Sequence, residues 1–216
     1  MVKCCTVAAF IVLGIVWVLL IVSYSTYWYA EKAGDSDAYI ERLYNYNQVR
    51  ETRKSIFGKQ SETSRYSEVY KSSYPNVIRI FQASLAFAVL SWIVTSFTLF
   101  CIILYFAGIL QKIPIFKSIV KFFPIIGLLF CILSVCIFAG LQNVVYSDCK
   151  KLYSKATFYD SQGSYYANVC VEQSLFEVDD NYFRGPTTGW FTTIAAGIFS
   201  FVGIIIMLAG KALAHD

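Results

Sequence analysis

Four stretches of this chain are nearly free of charge, and the sequence between them is polar. The last, GWFTTIAAGIFSFVGIIIMLAG from Gly189 to Gly210, has no charged residue over about 22 positions, and at ~1.5 Å rise per residue such a helix crosses a bilayer core. Gly189, Thr193, Ala196, Ser200, Gly203 and Gly210 fall on alternating steps of four and three, with Met207 filling the one remaining place, so one face of the predicted helix is small and weakly polar. Between lipid-embedded helices, close backbone approach along small residues supplies much of the attraction. This helix is therefore predicted to pack along its length against another.

The first apolar stretch gives a helix over about 7–29, closed by Tyr24, Tyr27, Trp28 and Tyr29 at a headgroup boundary. It fits a cleaved signal peptide poorly, because WYA before Glu31 is a weak cleavage site. A second helix, about 77–110, is long enough to tilt, and Ser84, Ala88, Ser91, Thr95 and Thr98 repeat the small face. A third, about 117–146, carries Gly127, Cys131 and Ser134 on one face. The short connection QKIPIFK makes the second and third helices antiparallel neighbours. The residues assigned to helix packing are Ser91, Thr95, Gly127, Ser134, Gly197, Ser200 and Gly203. Gln82 lies at about the depth of Gln142 and Asn143, which predicts an interhelical hydrogen bond worth roughly 1 kcal/mol; the alternative is that both ends face interfacial water.

The connection 30–76 places Tyr39, Leu43, Tyr46 and Arg50, then Tyr66, Val69 and Tyr70, on helix-like spacing before Pro75. Two short amphipathic helices are expected there. The connection 147–187 holds Cys149 and Cys170, and their disulfide would close about 20 residues and contribute roughly 3 kcal/mol. The predicted fold is thus an all-α membrane protein, one domain over 1–216: a four-helix transmembrane bundle, its last span about 188–211, with two outer loops, the second disulfide-closed.

Composition agrees, with 57% hydrophobic and only 15% charged residues, where a soluble domain carries about a quarter charged. A net charge of +4 without a lysine-rich tail gives no reason to invoke nucleic acid. The partners implied are the lipid bilayer and other membrane proteins or copies of the chain. Lys3, Lys112, Lys117, Lys121 and Lys211 flank one set of membrane ends, and the long connections carry nearly all the acids. The positive-inside rule puts both termini in the cytosol, at the plasma membrane or an endomembrane. Cys4 and Cys5, at the cytosolic mouth of the first helix, are candidate S-palmitoylation sites or simply small interfacial residues.

The only histidine is His215, no metal-ligand spacing occurs, and no Ser/His/Asp or Cys/His set is placed for catalysis. The chain reads as no enzyme, without cofactor or metal. The cores of its spans lack the charged residues that mark proton or ion paths, although copies could enclose a pore lined by hydroxyls.

SYSTYWYAEKAG at the end of the first helix and the Gly-rich fourth helix resemble the claudin-like superfamily, which includes claudins, the peripheral myelin protein group and AMPA-receptor regulatory subunits. The resemblance implies adhesion or regulation of a partner channel. The chain departs from that pattern: the superfamily's first outer loop forms a β-sheet with a tryptophan-glycine-leucine-tryptophan type motif and a cysteine pair, whereas here it has no cysteine and reads as helical. The Cys-Cys-Gly signature of tetraspanins is also missing. The leading expectation is a non-catalytic tetraspan protein acting by lateral association as an accessory or structural subunit; the alternatives are an oligomeric channel and an adhesion protein.

Overall fold

The computed structural model describes residues 2–109, 120, 122–155 and 174–212. In chain order these form α1 (Val2–Ser25), β1 (Tyr29–Gly34), β2 (Tyr39–Tyr44), β3 (Gln48–Ser55), β4 (Gly58–Arg65), α2 (Glu68–Ser73), α3 (Pro75–Phe106), α4 (Phe123–Ala139), α5 (Leu141–Lys155), β5 (Glu177–Asp179), β6 (Tyr182–Pro186) and α6 (Thr188–Ala212). Among the described residues, four helices are long and apolar enough to cross a membrane: Cys4–Ser25, Pro75–Phe106, Phe123–Leu152 and Thr188–Ala209. By helix length and composition this is a multi-pass membrane protein.

The all-α expectation is overturned by a six-stranded antiparallel sheet in the order β4-β3-β2-β1-β6-β5. The first amphipathic helix expected in the connection 30–76 is instead the hairpin of β2 and β3. Of the second, only the short α2 forms, its N-cap Ser67 accepting the Tyr70 N–H at 3.1 Å.

The chain divides into a helical unit, Met1–Thr26, Leu85–Val135 and Thr188–Asp216, and a sheet unit, Tyr27–Ser84 and Cys136–Thr187. In the helical unit, α1 buries Ala9, Leu13, Val16, Leu20 and Ser23, alternating steps of four and three, while Val7, Ile11, Ile15 and Val18 are exposed. The same spacing buries Ala88, Ser91, Thr95 and Thr98 on α3 and Thr193, Ala196 and Ser200 on α6. Such a repeat keeps a narrow seam facing a neighbour along a near-parallel crossing. Val16, Leu20, Cys131 and Ala196 meet in its core, with Leu19 and Trp92 against them.

In the sheet unit, turns set the strands. Gly34 sits at φ +116°, and a Cβ there would lie 2.3 Å from the Ala38 carbonyl oxygen, so the β1–β2 turn requires glycine. The Asn45 side chain accepts the Tyr46 N–H at 2.6 Å, and the Asn45 N–H donates to the Gln48 carbonyl at 3.0 Å, closing β2–β3. β1 then pairs with β6, from Tyr29 opposite Pro186 to Ala33 opposite Tyr182, so one sheet uses both long connections.

Cross-strand charges fix that register. Glu177 stands opposite Arg184, Arg184 opposite Glu31, Glu31 opposite Arg42, and Arg42 opposite Glu51: a row of alternating sign over five strands. Opposed pairs of this kind contribute about 0.2–1 kcal/mol each. Fully buried Phe138 gathers Trp28, Phe81 and Tyr29 at ring-centroid distances of 5.4, 5.5 and 6.3 Å. Thr187 ties the end of β6 to the start of β1, its N–H donating to the Trp28 carbonyl at 2.9 Å and its hydroxyl to the Tyr27 carbonyl at 2.6 Å.

Candidate functional site

The small residues of the helical unit lie at its helix seams. The Ser91 hydroxyl donates to the Gly127 carbonyl at 2.9 Å and lies 3.2 Å from the Cys131 sulfur. A Cβ added at Gly127 would meet Thr95 Oγ1 at 3.6 Å, one at Gly197 the Cys131 Cβ at 3.6 Å, and one at Gly203 the Leu13 Cδ2 at 3.3 Å. Ser134 and Ser200 are buried. Ser23 and Thr193 share a buried hydrogen bond of 2.6 Å between α1 and α6. Trp17 Nε1 donates to Ser96 Oγ at 2.8 Å, joining α1 to α3. Thr95, Ser96, Thr98 and Thr193 donate to carbonyls four residues back in their own helices. These hydroxyls are therefore satisfied within the chain.

The polar residues at the helix ends are arranged differently. Gln82 and Asn143 are exposed, and Gln142 donates to the Ser174 carbonyl. Among the described residues no hydrogen bond joins Gln82 to Gln142 or Asn143. Cys4 is exposed and Cys5 half-buried, both as free thiols. Cys149 lies in α5; Cys170 lies outside the described residues, and so does its pairing with Cys149. The QKIPIFK turn is likewise outside them.

In the sheet unit, a small cleft of about 30 Å³ is lined by Tyr29, Glu31, Leu141, Gln142, Val145, Tyr146 and Arg184, the volume of roughly one water rather than an organic ligand. There Arg184 pairs with Glu31 at 3.0 Å, and the Tyr44 hydroxyl donates to Glu31 at 2.9 Å. Burial, then the Glu31 charge, pushes the Tyr44 hydroxyl far above the ordinary tyrosine value; burial does the same to Tyr29. Both phenols stay protonated. Away from the cleft, hydrogen bonds from Arg42 and Arg53 hold the Glu51 carboxyl below its usual range.

The outer margin of the sheet is open. All eight residues of β4 are exposed, and among the described residues it pairs with β3 alone. The turn between β3 and β4 consists of Ile56 and Phe57, 80% and 94% exposed. Periodicity alone gives neither residue a role, although Gly58 immediately afterwards is a hairpin signal. No protein-family model matches the chain, and no curated protein matches it.

Proposed function

We propose that this is a non-catalytic tetraspan protein that works by lateral association, as an accessory or structural subunit of a larger membrane complex. The observation that carries the reading is β4, an eight-residue edge strand exposed along its whole length. The N–H and C=O groups on its free side are a template on which another chain can add a strand. The seams between helices are occupied within the chain, so partners meet the sheet or the apolar outer faces of the spans, such as Ile198, Phe201 and Ile205 on α6.

A claudin-like arrangement fits this reading. The first outer connection is strand rather than helix, which removes one departure from that superfamily, while the missing tryptophan motif and first-loop cysteine pair remain departures. That both long connections contribute to one sheet supports a shared side of the membrane for them, and the lysines flanking the other membrane ends in the sequence support an outer or lumenal location for that side, with both termini cytosolic. In that oxidising compartment Cys149 and Cys170 form the disulfide of the second connection. Cys4 and Cys5, free at the other end, are open to S-palmitoylation. An oligomeric pore draws no support from Ser91, Thr95 and Thr98, whose hydroxyls are engaged with backbone.

Native mass measurement after gentle extraction tests the proposal. Assemblies heavier than one 24.5 kDa chain are expected, with a partner or further copies. A lone chain under every mild condition contradicts it.

A further inference from the structure

The β3–β4 turn carries two large apolar residues at its tip. Ile56 and Phe57 lie between Ser55 and Gly58, and a positive φ of +138° falls on Gly58, where glycine tolerates it. Nothing in the hairpin covers them: Phe57 is 94% exposed and Ile56 80%. Large apolar side chains left uncovered at a hairpin tip call for an occupant from outside the hairpin.

Charge at the same place is equally unbalanced. In the alternating row acid faces base, and where Glu51 also meets Glu62 across β4, Arg42 and Arg53 are hydrogen-bonded to the Glu51 carboxylate. Beside the turn, Lys54 stands directly opposite Lys59. Like charges so placed destabilise a hairpin unless a counter-charge arrives. Lys54 donates to the Ser36 carbonyl and lies 5.9 Å from the Tyr39 ring, neither of which neutralises it, and Lys59 is exposed. Because side chains alternate across a strand, the sheet face bearing this pair also carries Lys32, Arg50 and Arg65, against Glu41 as its acid. The opposite face holds the alternating row with Glu31, Glu51, Glu62 and Glu177. One face is thus strongly basic and ends in an apolar tip.

We propose that the β3–β4 hairpin is a membrane-binding finger on the outer or lumenal side: Ile56 and Phe57 enter the interface of a bilayer whose leaflet on that side carries anionic lipid, and Lys54 and Lys59 straddle its phosphate groups. Apolar side chains that reach the acyl boundary, flanked by cations at headgroup depth, are how surface segments hold anionic membranes. The negative surface supplies counter-charge to the lysine pair. A protein partner for the apolar tip would bring its own acids, and that alternative is an outcome of the test. Lipid binding by the hairpin and the mass of the extracted assembly are read separately, so this proposal and lateral association fail separately.

The test uses the full chain as Phe57→Trp, reconstituted in phosphatidylcholine vesicles with or without phosphatidylserine, its emission taken as the difference from the unsubstituted protein. Expected with phosphatidylserine are a blue shift and quenching by bromine-labelled lipid, both weak in phosphatidylcholine alone. Lys59→Gln lowers binding of added anionic vesicles about fivefold, as loss of one surface cation implies. Ile56→Ser/Phe57→Ser abolishes it, and an unchanged circular dichroism spectrum certifies that variant's fold. Emission and quenching that ignore lipid composition overturn the proposal. So does loss of a co-purifying protein in the serine variant without any lipid quenching, which would make the tip a protein contact.

Discussion

Asp148 on α5 caps α3 by binding Asn76 across 72 positions of sequence: its carboxylate accepts the Asn76 N–H at 2.9 Å and the Asn76 side-chain amide at 2.6 Å. The Val77 N–H adds a third bond at 3.2 Å. The first turn of a helix leaves N–H groups without partners and carries partial positive charge, so a buried carboxylate there satisfies both. Asp148 is 2% exposed. Asp148→Ala leaves buried donors unpaired and is expected to lower stability by about 2–3 kcal/mol. Thermal unfolding of the purified protein checks this; a melting temperature within error of wild type contradicts it.

Gly34→Ala tests the turn before β2. The substitution places a Cβ against the Ala38 carbonyl at 2.3 Å and disfavours the positive φ, so a loss of about 1–3 kcal/mol is expected. The corresponding change at Gly14, whose Cβ would meet nothing within 4 Å, should be tolerated. Equal melting temperatures for the two variants contradict the turn geometry.

Gly203→Leu tests the contact between α6 and α1. A Cβ at Gly203 already meets Leu13 at 3.3 Å, so the larger side chain costs about 1–3 kcal/mol through overpacking. The loss should be measurable in the isolated chain, because the seam is internal. Normal stability with weakened association would place Gly203 at a partner surface instead.

Acid should loosen the β2–β3–β4 region. Two guanidinium groups hold the Glu51 carboxyl below its ordinary value of 4.5, so the native chain binds fewer protons there than the unfolded chain. The stabilisation is complete above that ordinary value and is lost as pH falls through the lowered one. Hydrogen-exchange protection factors in β3, taken relative to the intrinsic rate at each pH, should therefore fall on acidification in the wild type, and Glu51→Gln should flatten the dependence. Because Glu51 is partly exposed, salt should weaken the effect.

The spans were legible because an uncharged apolar run of about 20 residues has the length of a bilayer crossing, and the buried stripe of Thr193, Ala196 and Ser200 was legible because helical spacing places those positions on one face. The sheet was not. Tyr39, Leu43 and Tyr46 happen to fall on helical steps, while the partners that make β1 a strand, Arg42 for Glu31 on one side and Arg184 on the other, are paired by register rather than by any local pattern. Gly34, the two asparagines at 45 and 47, and Gly58 were the available turn signals, spaced as hairpins require. Asp148 looked like an ordinary loop acid, since nothing near it in sequence reveals the helix end it serves.

The proposed role stands or falls on both long connections sharing one side of the membrane, with the tails on the other. A short fluorescent-protein fragment placed in the turn 35–38, and separately after Asp216, reads this directly when the complementing fragment is expressed either in the cytosol or in the secretory lumen. The tail is expected to light up only with the cytosolic fragment and the turn only with the lumenal one. Both sites responding in the same compartment would contradict that topology.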